Sequence, residues 1–217
     1  MTKKKTIGKE EIIAHYMEAV LTNAESPKSV FSFAREHGFE ESKFYEFFAS
    51  FEDLDRSIFA HFCSTTLTML EDSEEYADYG ARERLLAYYY TFFELLTANR
   101  SYVMLRLGKD SGRLDKLKVL SKLKDCFRVF INTLEISRID FKNERVQKLQ
   151  QRGISEAAWA QLLITLKFWM EDDSSGFEKT DVFIEKSVKA GFDLVDATPA
   201  KSVFDLAKFL WKEKATM

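Results

Sequence analysis

The scarcity of helix-breaking residues is the feature that most limits what this chain can fold into. Its 217 residues include 2 prolines and 8 glycines. Long stretches mix Leu, Phe, Ala, Lys and Glu, and no run alternates Val, Ile or Thr with polar residues as a half-buried strand does. Because Pro and Gly disfavour helices most and β-branched residues favour strands, the sequence predicts an all-α protein.

Two helices are predicted in the first 38 residues. The segment KEEIIAHYMEAVLTN places apolar residues at helical spacing and predicts a first helix of about four turns. The segment SPKSVFSFAREHG predicts a short second helix over residues 28–36. Its expected boundaries are Ser26 as N-cap, Pro27 at the first helical position and Gly38 just beyond the end.

A tight turn and two further helices are predicted after Gly38. The segment EESKFYEFFAS predicts a short third helix with Phe44, Phe47 and Phe48 on its apolar side, and FEDLDRSIFAHFCSTTLTML predicts a longer fourth one. The order of long, short, short and long helices with a tight turn in the middle is typical of a helix-turn-helix unit.

Longer helices are predicted beyond residue 70, in ARERLLAYYYTFFELLTANR, RLDKLKVLSKLKDCFRVFINTLEIS, EAAWAQLLITLKFWM, EKTDVFIEKSVKAGFDLVDA and PAKSVFDLAKFLWKEK. Ser155 is expected to cap the third of these, and Thr198 followed by Pro199 is expected to begin the last. The polar stretch RIDFKNERVQKLQQRG is expected to be a mobile helix or a partly helical connector that ends at Gly153.

The charge balance gives no general attraction to nucleic acids or anionic membranes. The chain has 32 basic and 35 acidic residues, a net charge of -3. Residues 1–64 hold eight basic and eleven acidic side chains, so the whole deficit lies in this N-terminal part. The local distribution therefore matters more than the total.

No catalytic residue, metal site or cofactor is predicted. The three histidines, His15, His37 and His61, lie on separate predicted helices. The chain contains no H-E-x-x-H or C-x-x-C spacing, no G-x-S-x-G motif, and no Walker or dinucleotide-binding glycine pattern. We therefore expect a protein that is not an enzyme.

Cysteine usage and hydropathy favour a cytoplasmic protein without a membrane span. Cys63 and Cys126 lie far apart in apolar segments, as expected of reduced, buried thiols. No apolar stretch follows the basic start MTKKKTIGKE, which argues against a secretory signal. The two most apolar stretches, LLAYYYTFFELL and WAQLLITLKFWM, are too short to cross a bilayer.

The first 64 residues resemble the DNA-binding domain of the TetR family of bacterial repressors. The residues that carry the resemblance are Phe33, Ala34, Gly38, Phe44, Tyr45, Phe48 and Leu54. It implies a helix-turn-helix DNA-binding domain over residues 1–64 and a larger helical domain over 65–217 that binds an effector and dimerises through its last two helices. It also implies a ligand-responsive transcriptional regulator.

The candidate DNA contacts are Lys3, Lys4, Lys5, Lys28, Ser29, Glu41, Ser42, Lys43 and Tyr45. The resemblance implies that the Tyr of the recognition helix touches the phosphate backbone, and the positive charge of Lys3, Lys4 and Lys5 suits an arm in the minor groove. The alternative is that this arm is a solubilising tail. The chain departs from the family at Glu40, where a small hydroxyl residue is usual, and at Phe51, where a basic residue is usual. Residues 38–54 contain one Lys against five acidic residues, a balance of -4. Carboxylates in this segment oppose the binding of phosphates.

Aromatic residues suggest an apolar effector pocket among the long helices. The candidate lining residues are Tyr88, Tyr89, Phe92, Phe93, Trp159 and Trp169. Aromatic side chains with a few hydroxyl groups suit a mostly apolar small-molecule or lipid-like effector. The alternative is that these side chains simply fill the core.

A fainter resemblance concerns the segment MEDDSSGFEKTDVFIEKSVKAGFDLVD. Its acidic and serine cluster, its Lys-Thr pair and the Phe183-Ile184-Glu185 step are similar to isoprenoid-binding accessory proteins of ubiquinone biosynthesis, which keep the TetR fold. This similarity implies an alternative function, a lipid- or isoprenoid-binding protein that has lost DNA binding.

Overall fold

The computed structural model describes residues 7–108, 113–136 and 144–196, and the described residues are helical without any strand. The helices are α1 (Lys9–Asn23), α2 (Val30–Glu36), α3 (Glu41–Tyr45), α4 (Phe51–Glu71), α5 (Ala81–Ala98), α6 (Arg100–Leu107), α7 (Arg113–Val119), α8 (Ser121–Thr133), α9 (Glu144–Glu171) and α10 (Glu178–Asp196). The predicted all-α fold class is confirmed. Short 3-10 turns precede α5 and α10, at Glu74–Asp78 and Ser175–Phe177.

The described helices belong to two compact units. One unit comprises Met1–Ser73 and Thr91–Ile131, and the other comprises Glu74–Tyr90 and Asn132–Met217. The border between the units therefore falls inside α5. The predicted border between two domains, after residue 64, lies within α4. The division into a domain over residues 1–64 and a domain over residues 65–217 stays a prediction.

The start of α2 differs from the prediction. Ser29, not Ser26, is the N-cap, and its side chain accepts a hydrogen bond from the Ser32 backbone N–H. Ser26 bonds instead to the Tyr16 hydroxyl, at 3.1 Å. Pro27 consequently lies before α2, in the connection from α1.

Helix α9 includes residues 144–153, the described part of the stretch that was expected to be a mobile helix or a partly helical connector. It continues across Gly153 and Ser155 and ends at Glu171. Ser155 is not a cap: its buried hydroxyl donates to the Gln151 carbonyl and to Asn132 Oδ1, both at 3.0 Å. A helical Gly costs about 1 kcal/mol, and burial of Trp159 and Leu162 in the following turns favours the continued helix.

The segment predicted as one helix over residues 81–100 is α5 as far as Ala98, and α6, which was not predicted, follows it after Asn99. The Asn99 side chain donates to the Leu95 carbonyl at 2.9 Å. The segment from Arg113 onward, also predicted as one helix, is divided in two. Helices α7 and α8 are separated at Leu120, which is buried. The predicted last helix, with Thr198 and Pro199 at its start, lies outside the described residues.

The core of the N-terminal helices is built from aromatic rings around Phe33. Phe33 makes edge contacts with Phe39, Phe44 and Phe51, at centroid distances of 5.7, 6.4 and 5.8 Å. Phe51 also stacks on Tyr16 at 5.3 Å. At the position where the TetR family usually has a basic residue, this chain thus packs a half-buried aromatic ring against the core.

Candidate functional site

The turn between α2 and α3 positions the candidate DNA-binding surface. Gly38 has a φ of +73°, in the left-handed region that glycine adopts without strain. The Phe39 N–H donates to the Ala34 carbonyl at 2.9 Å and closes the end of α2. Buried Phe39 and Phe44 then fix α3 against the aromatic core. The short helices predicted on both sides of Gly38 are confirmed.

Most of the candidate DNA contacts within the described residues are accessible. Lys28, Ser42 and Tyr45 are exposed, and Glu41 and Lys43 are half-buried. Ser29 is exposed, but its hydroxyl is the α2 cap and also bonds to the Ser32 hydroxyl at 2.9 Å. The arm with Lys3, Lys4 and Lys5 lies outside the described residues.

Lys43, the basic residue of the segment 38–54, is engaged by its own helix. Its Nζ lies 2.5 Å from Glu46 Oε2 and 5.4 Å from the centroid of the Phe47 ring. The ion pair is exposed, so it is weak and competes poorly with a stronger anion. A phosphate group that binds Lys43 therefore shares its ammonium group with the Glu46 carboxylate or displaces it.

An exposed aromatic face accompanies this acidic surface. Phe31, Tyr45 and Phe47 are 58%, 53% and 37% exposed, whereas Phe44 and Phe48 of the same region are buried. Of the three residues predicted on the apolar side of the third helix, Phe47 therefore points outward. A groove of about 430 Å³ lies at the turn and is lined by Phe31, Ala34, Arg35, Gly38, Phe39, Glu40, Glu41 and Ser42.

The six aromatic residues predicted to bind an effector are all buried. Their exposed fractions range from 0% to 7%. Tyr88, Tyr89, Trp159 and Trp169 belong to one compact unit, and Phe92 and Phe93 to the other. Burial raises the pKa of the Tyr89 hydroxyl well above its usual range. Their role as effector ligands stays a prediction.

A groove of about 370 Å³ lies between α9 and α10. Its lining is mostly apolar: Leu85, Ile136, Gly153, Ile154, Ala157, Ala158, Gln161, Ser187, Val188, Gly191, Phe192, Leu194 and Val195. The polar part of the lining is a hydrogen bond from Gln161 Nε2 to Ser187 Oγ, at 3.1 Å. None of the six predicted aromatic residues lines this groove. The small residues Gly153, Ala157 and Gly191 were a sequence signal for this groove, because small side chains leave space between the two helices.

The residues that carried the second resemblance form the junction between α9 and α10. Asp172 accepts hydrogen bonds from the backbone N–H and hydroxyl of Ser174, at 2.9 and 2.6 Å, and from those of Thr180, at 2.9 and 2.6 Å. Burial alone would raise the pKa of Asp172, but these hydrogen bonds hold it well below its usual range. Exposed Asp173 pairs with Lys179 at 2.6 Å. The Asp-Ser and Lys-Thr features thus have a structural explanation.

The family comparison concerns the larger part of the chain. The tetracyclin repressor-like C-terminal domain matches residues 84–210, more than half of the 217 residues. The chain belongs to the TetR family. This establishes an all-α TetR-like fold with a C-terminal TetR domain, which contains α6 to α10 and the groove between α9 and α10. No curated protein matches the chain.

Two further findings concern metals and membranes. Across residues 7–108, 113–136 and 144–196, no group of three or more His, Cys, Asp or Glu side chains is arranged to hold a metal ion. None of the described helices combines the length and the apolarity that a bilayer span requires.

Proposed function

We propose that the protein is a ligand-responsive transcriptional regulator that binds DNA as a dimer and responds to an apolar small molecule. The observation that carries the proposal is the pair α2 and α3, joined at Gly38 and presenting exposed Tyr45 and Ser42, in a chain whose larger part is a TetR domain. Lys28, Ser29, Glu41, Ser42, Lys43 and Tyr45, with the arm of Lys3, Lys4 and Lys5, are the proposed DNA contacts.

The proposed dimer uses the C-terminal helices and carries two α2–α3 units. A two-fold dimer places equivalent recognition elements at half-sites about one DNA turn apart. An effector that binds only one arrangement of the dimer shifts the population toward that arrangement. We propose that the effector in this way changes the separation of the two DNA-contacting units and releases the DNA.

The DNA contacts are tested by freeing Lys43 from its ion pair. Glu46→Gln removes one carboxylate from the surface and leaves Lys43 available to a phosphate, so affinity for DNA from upstream of its own gene should rise several-fold at low salt. Fluorescence anisotropy measures the affinity, and Lys43→Ala should lower it. Glu18→Gln, an exposed substitution on α1, is the matched control. Equal affinities of Glu46→Gln and Glu18→Gln would contradict the assignment of α3 to the DNA.

The α9–α10 groove is the proposed effector site in the described residues. Its lining is mostly apolar, and the bonded Gln161 and Ser187 pair supplies a polar group at one place, as is usual for small-molecule sites. Of the aromatic residues in the sequence-based hypothesis, Tyr88, Tyr89, Trp159 and Trp169 belong to the same compact unit as this groove.

Filling the groove tests this assignment with a matched pair of substitutions on α9. Ala157 lines the groove and Ala160 is exposed outside it. Ala157→Leu should reduce binding of a fluorescent fatty-acid probe at least tenfold, because the added side chain occupies the groove, whereas Ala160→Leu should leave it unchanged. Thermal unfolding verifies that both variants fold. Equal probe binding by the two variants would place the apolar site elsewhere.

A second candidate function is favoured by the pairing of Lys43 with Glu46. With this cation neutralised, the α2–α3 surface presents acidic and aromatic side chains, which suits a TetR-fold protein that binds a lipid or isoprenoid and no longer binds DNA. In that case organic extraction of the purified protein should release an apolar compound. No DNA fragment should then compete better than a scrambled one.

A further inference from the structure

The lining of the α9–α10 groove carries no charged side chain. In the part of the chain that the structure describes, it consists of apolar residues and glycines with two polar exceptions, Gln161 and Ser187. An ionised carboxylate or ammonium group that entered the groove would lose its hydration without meeting an opposite charge. The volume of about 370 Å³ is near the lower end of the range for small-molecule sites. The groove therefore suits a small, uncharged ligand.

Hydrogen bonds fix the orientation of the Gln161 amide. The Ser187 hydroxyl donates to the Ile184 carbonyl at 3.2 Å, so its oxygen can accept, and Gln161 Nε2 donates to it at 3.1 Å. In a primary amide the nitrogen is the donor and the oxygen is the acceptor. Gln161 Nε2 is therefore the atom that faces Ser187, and Gln161 Oε1 is left to accept a hydrogen bond from another group.

Gln161 Oε1 lies at the wall of the groove beside Gly191. A Cβ atom on Gly191 would be 4.0 Å from Oε1, and Gly191 is itself part of the lining. Because Gly191 has no side chain, the oxygen is left uncovered on this side. Among the described residues, no donor forms a hydrogen bond with Oε1. This oxygen is thus a hydrogen-bond acceptor in an otherwise apolar wall, where a ligand can supply the donor.

We propose that the α9–α10 groove selects small, uncharged apolar alcohols, whose hydroxyl group donates a hydrogen bond to Gln161 Oε1 while the hydrocarbon part lies on the apolar lining. Gln161 is then the specificity-determining residue of the effector site. The inference rests on the proposed function, and it narrows the ligand of that site to one chemical class. A carboxylic acid binds more weakly, because its carboxylate either loses its hydration or stays in solvent and draws part of the chain out of the groove.

The test is displacement of the uncharged fluorescent dye N-phenylnaphthylamine from the full-length protein at neutral pH. The competitors n-octanol, octyl methyl ether and octanoate have the same hydrocarbon chain and differ in the polar group. We expect n-octanol to displace the dye at concentrations at least tenfold below those of octanoate, because octanoate is charged. It should act at concentrations several-fold below those of the ether, because an ether oxygen accepts a hydrogen bond but cannot donate one.

Two variants test the role of the Gln161 oxygen. Gln161→Leu removes the acceptor and keeps a side chain of similar size, so n-octanol and the ether should displace the dye at equal concentrations. Gly191→Val covers Oε1 and should reduce the preference for n-octanol in the same way, which provides a second measurement if Gln161→Leu does not fold. Gln147→Leu, at an exposed position of α9 outside the lining, is the matched control and should keep the preference. Thermal unfolding verifies that each variant folds.

The outcomes separate this inference from the effector site on which it rests. If the dye does not bind the wild-type protein, or binds the groove-filling variant Ala157→Leu equally well, the effector site itself is wrong and the inference falls with it. If the dye binds in the groove but the three competitors act at equal concentrations, only the preference for alcohols is overturned. A preference for n-octanol that survives in both Gln161→Leu and Gly191→Val would overturn the role of Gln161.

Discussion

At the scale of single residues, the ion pair between Asp55 and Arg106 fixes three helices of the first unit. Asp55 of α4 accepts a hydrogen bond from the Tyr102 hydroxyl at 2.6 Å and lies 3.1 Å from Arg106 Nε. Arg106 of α6 donates to the Tyr16 hydroxyl of α1 at 2.7 Å and to Ser26 at 2.9 Å. Burial raises the pKa of Asp55, and the hydrogen bond from Tyr102 and the charge of Arg106 partly offset this effect.

Removal of Arg106 should destabilise the protein strongly. Arg106→Met keeps the volume but leaves the Asp55 carboxylate buried without its cation, which costs about 3–5 kcal/mol for such pairs. Urea unfolding measures the change. Lys118→Ala, which breaks the exposed Lys118–Asp115 pair, is the control and should cost less than about 1 kcal/mol. Similar losses in the two variants would show that the buried pair contributes no more than a surface pair.

Sequence reasoning did not find this network, for a physical reason. The helical spacing of the apolar residues in the first helix predicted a buried side, and Tyr16 on this helix is indeed buried. The partner of its hydroxyl is Arg106, ninety positions away. Periodicity within one helix predicts which side is buried, but it contains no information on which polar group from a distant helix meets it.

At the scale of helices, local signals predicted the existence of elements better than their ends. The first helix was predicted with its observed bounds, Lys9–Asn23, from the helical spacing of its apolar residues. The expected stop at Gly153 was wrong, because packing of the following turns outweighs the modest cost of one helical glycine. The start of α2 was misplaced by the Ser-Pro pair, since Ser29 supplies the cap.

The junction between α9 and α10 should depend on Asp172. Asp172→Asn leaves one acceptor oxygen where the carboxylate has two, so the two donors of either Ser174 or Thr180 lose their acceptor. We expect a loss of about 1–3 kcal/mol in the free energy of unfolding. Asp173→Asn, which alters the neighbouring exposed pair with Lys179, should cost less than about 1 kcal/mol.

The sign of the pH dependence follows from the lowered pKa of Asp172. The unfolded carboxyl titrates near 3.9, so the folded protein gains stability from the carboxylate above that pH and loses it as the pH falls below. The difference in stability between the wild type and Asp172→Asn should therefore shrink from pH 6 to pH 3. A stability difference between the two proteins that stays constant from pH 6 to pH 3 would contradict the claim that hydrogen bonds stabilise the Asp172 carboxylate.

At the scale of the whole molecule, the sequence predicted the fold class and the family, and the match over residues 84–210 agrees with both. It placed the effector site on aromatic residues that are buried in the structure. Aromatic content predicts burial, but whether a buried ring faces a cavity depends on packing between helices. The groove that we propose as the effector site is bounded in part by small residues, which carry little weight in a hydrophobicity pattern.

The most direct test of the account is the salt dependence of binding to DNA from upstream of its own gene. If α2–α3 and the basic arm neutralise several phosphates, log Kd should rise linearly with log salt concentration, and Lys28→Ala should lower the slope by about 1. A scrambled fragment of equal length should bind more weakly at every salt concentration. Absence of salt-dependent binding, or equal affinity for the scrambled fragment, would contradict a DNA-binding function.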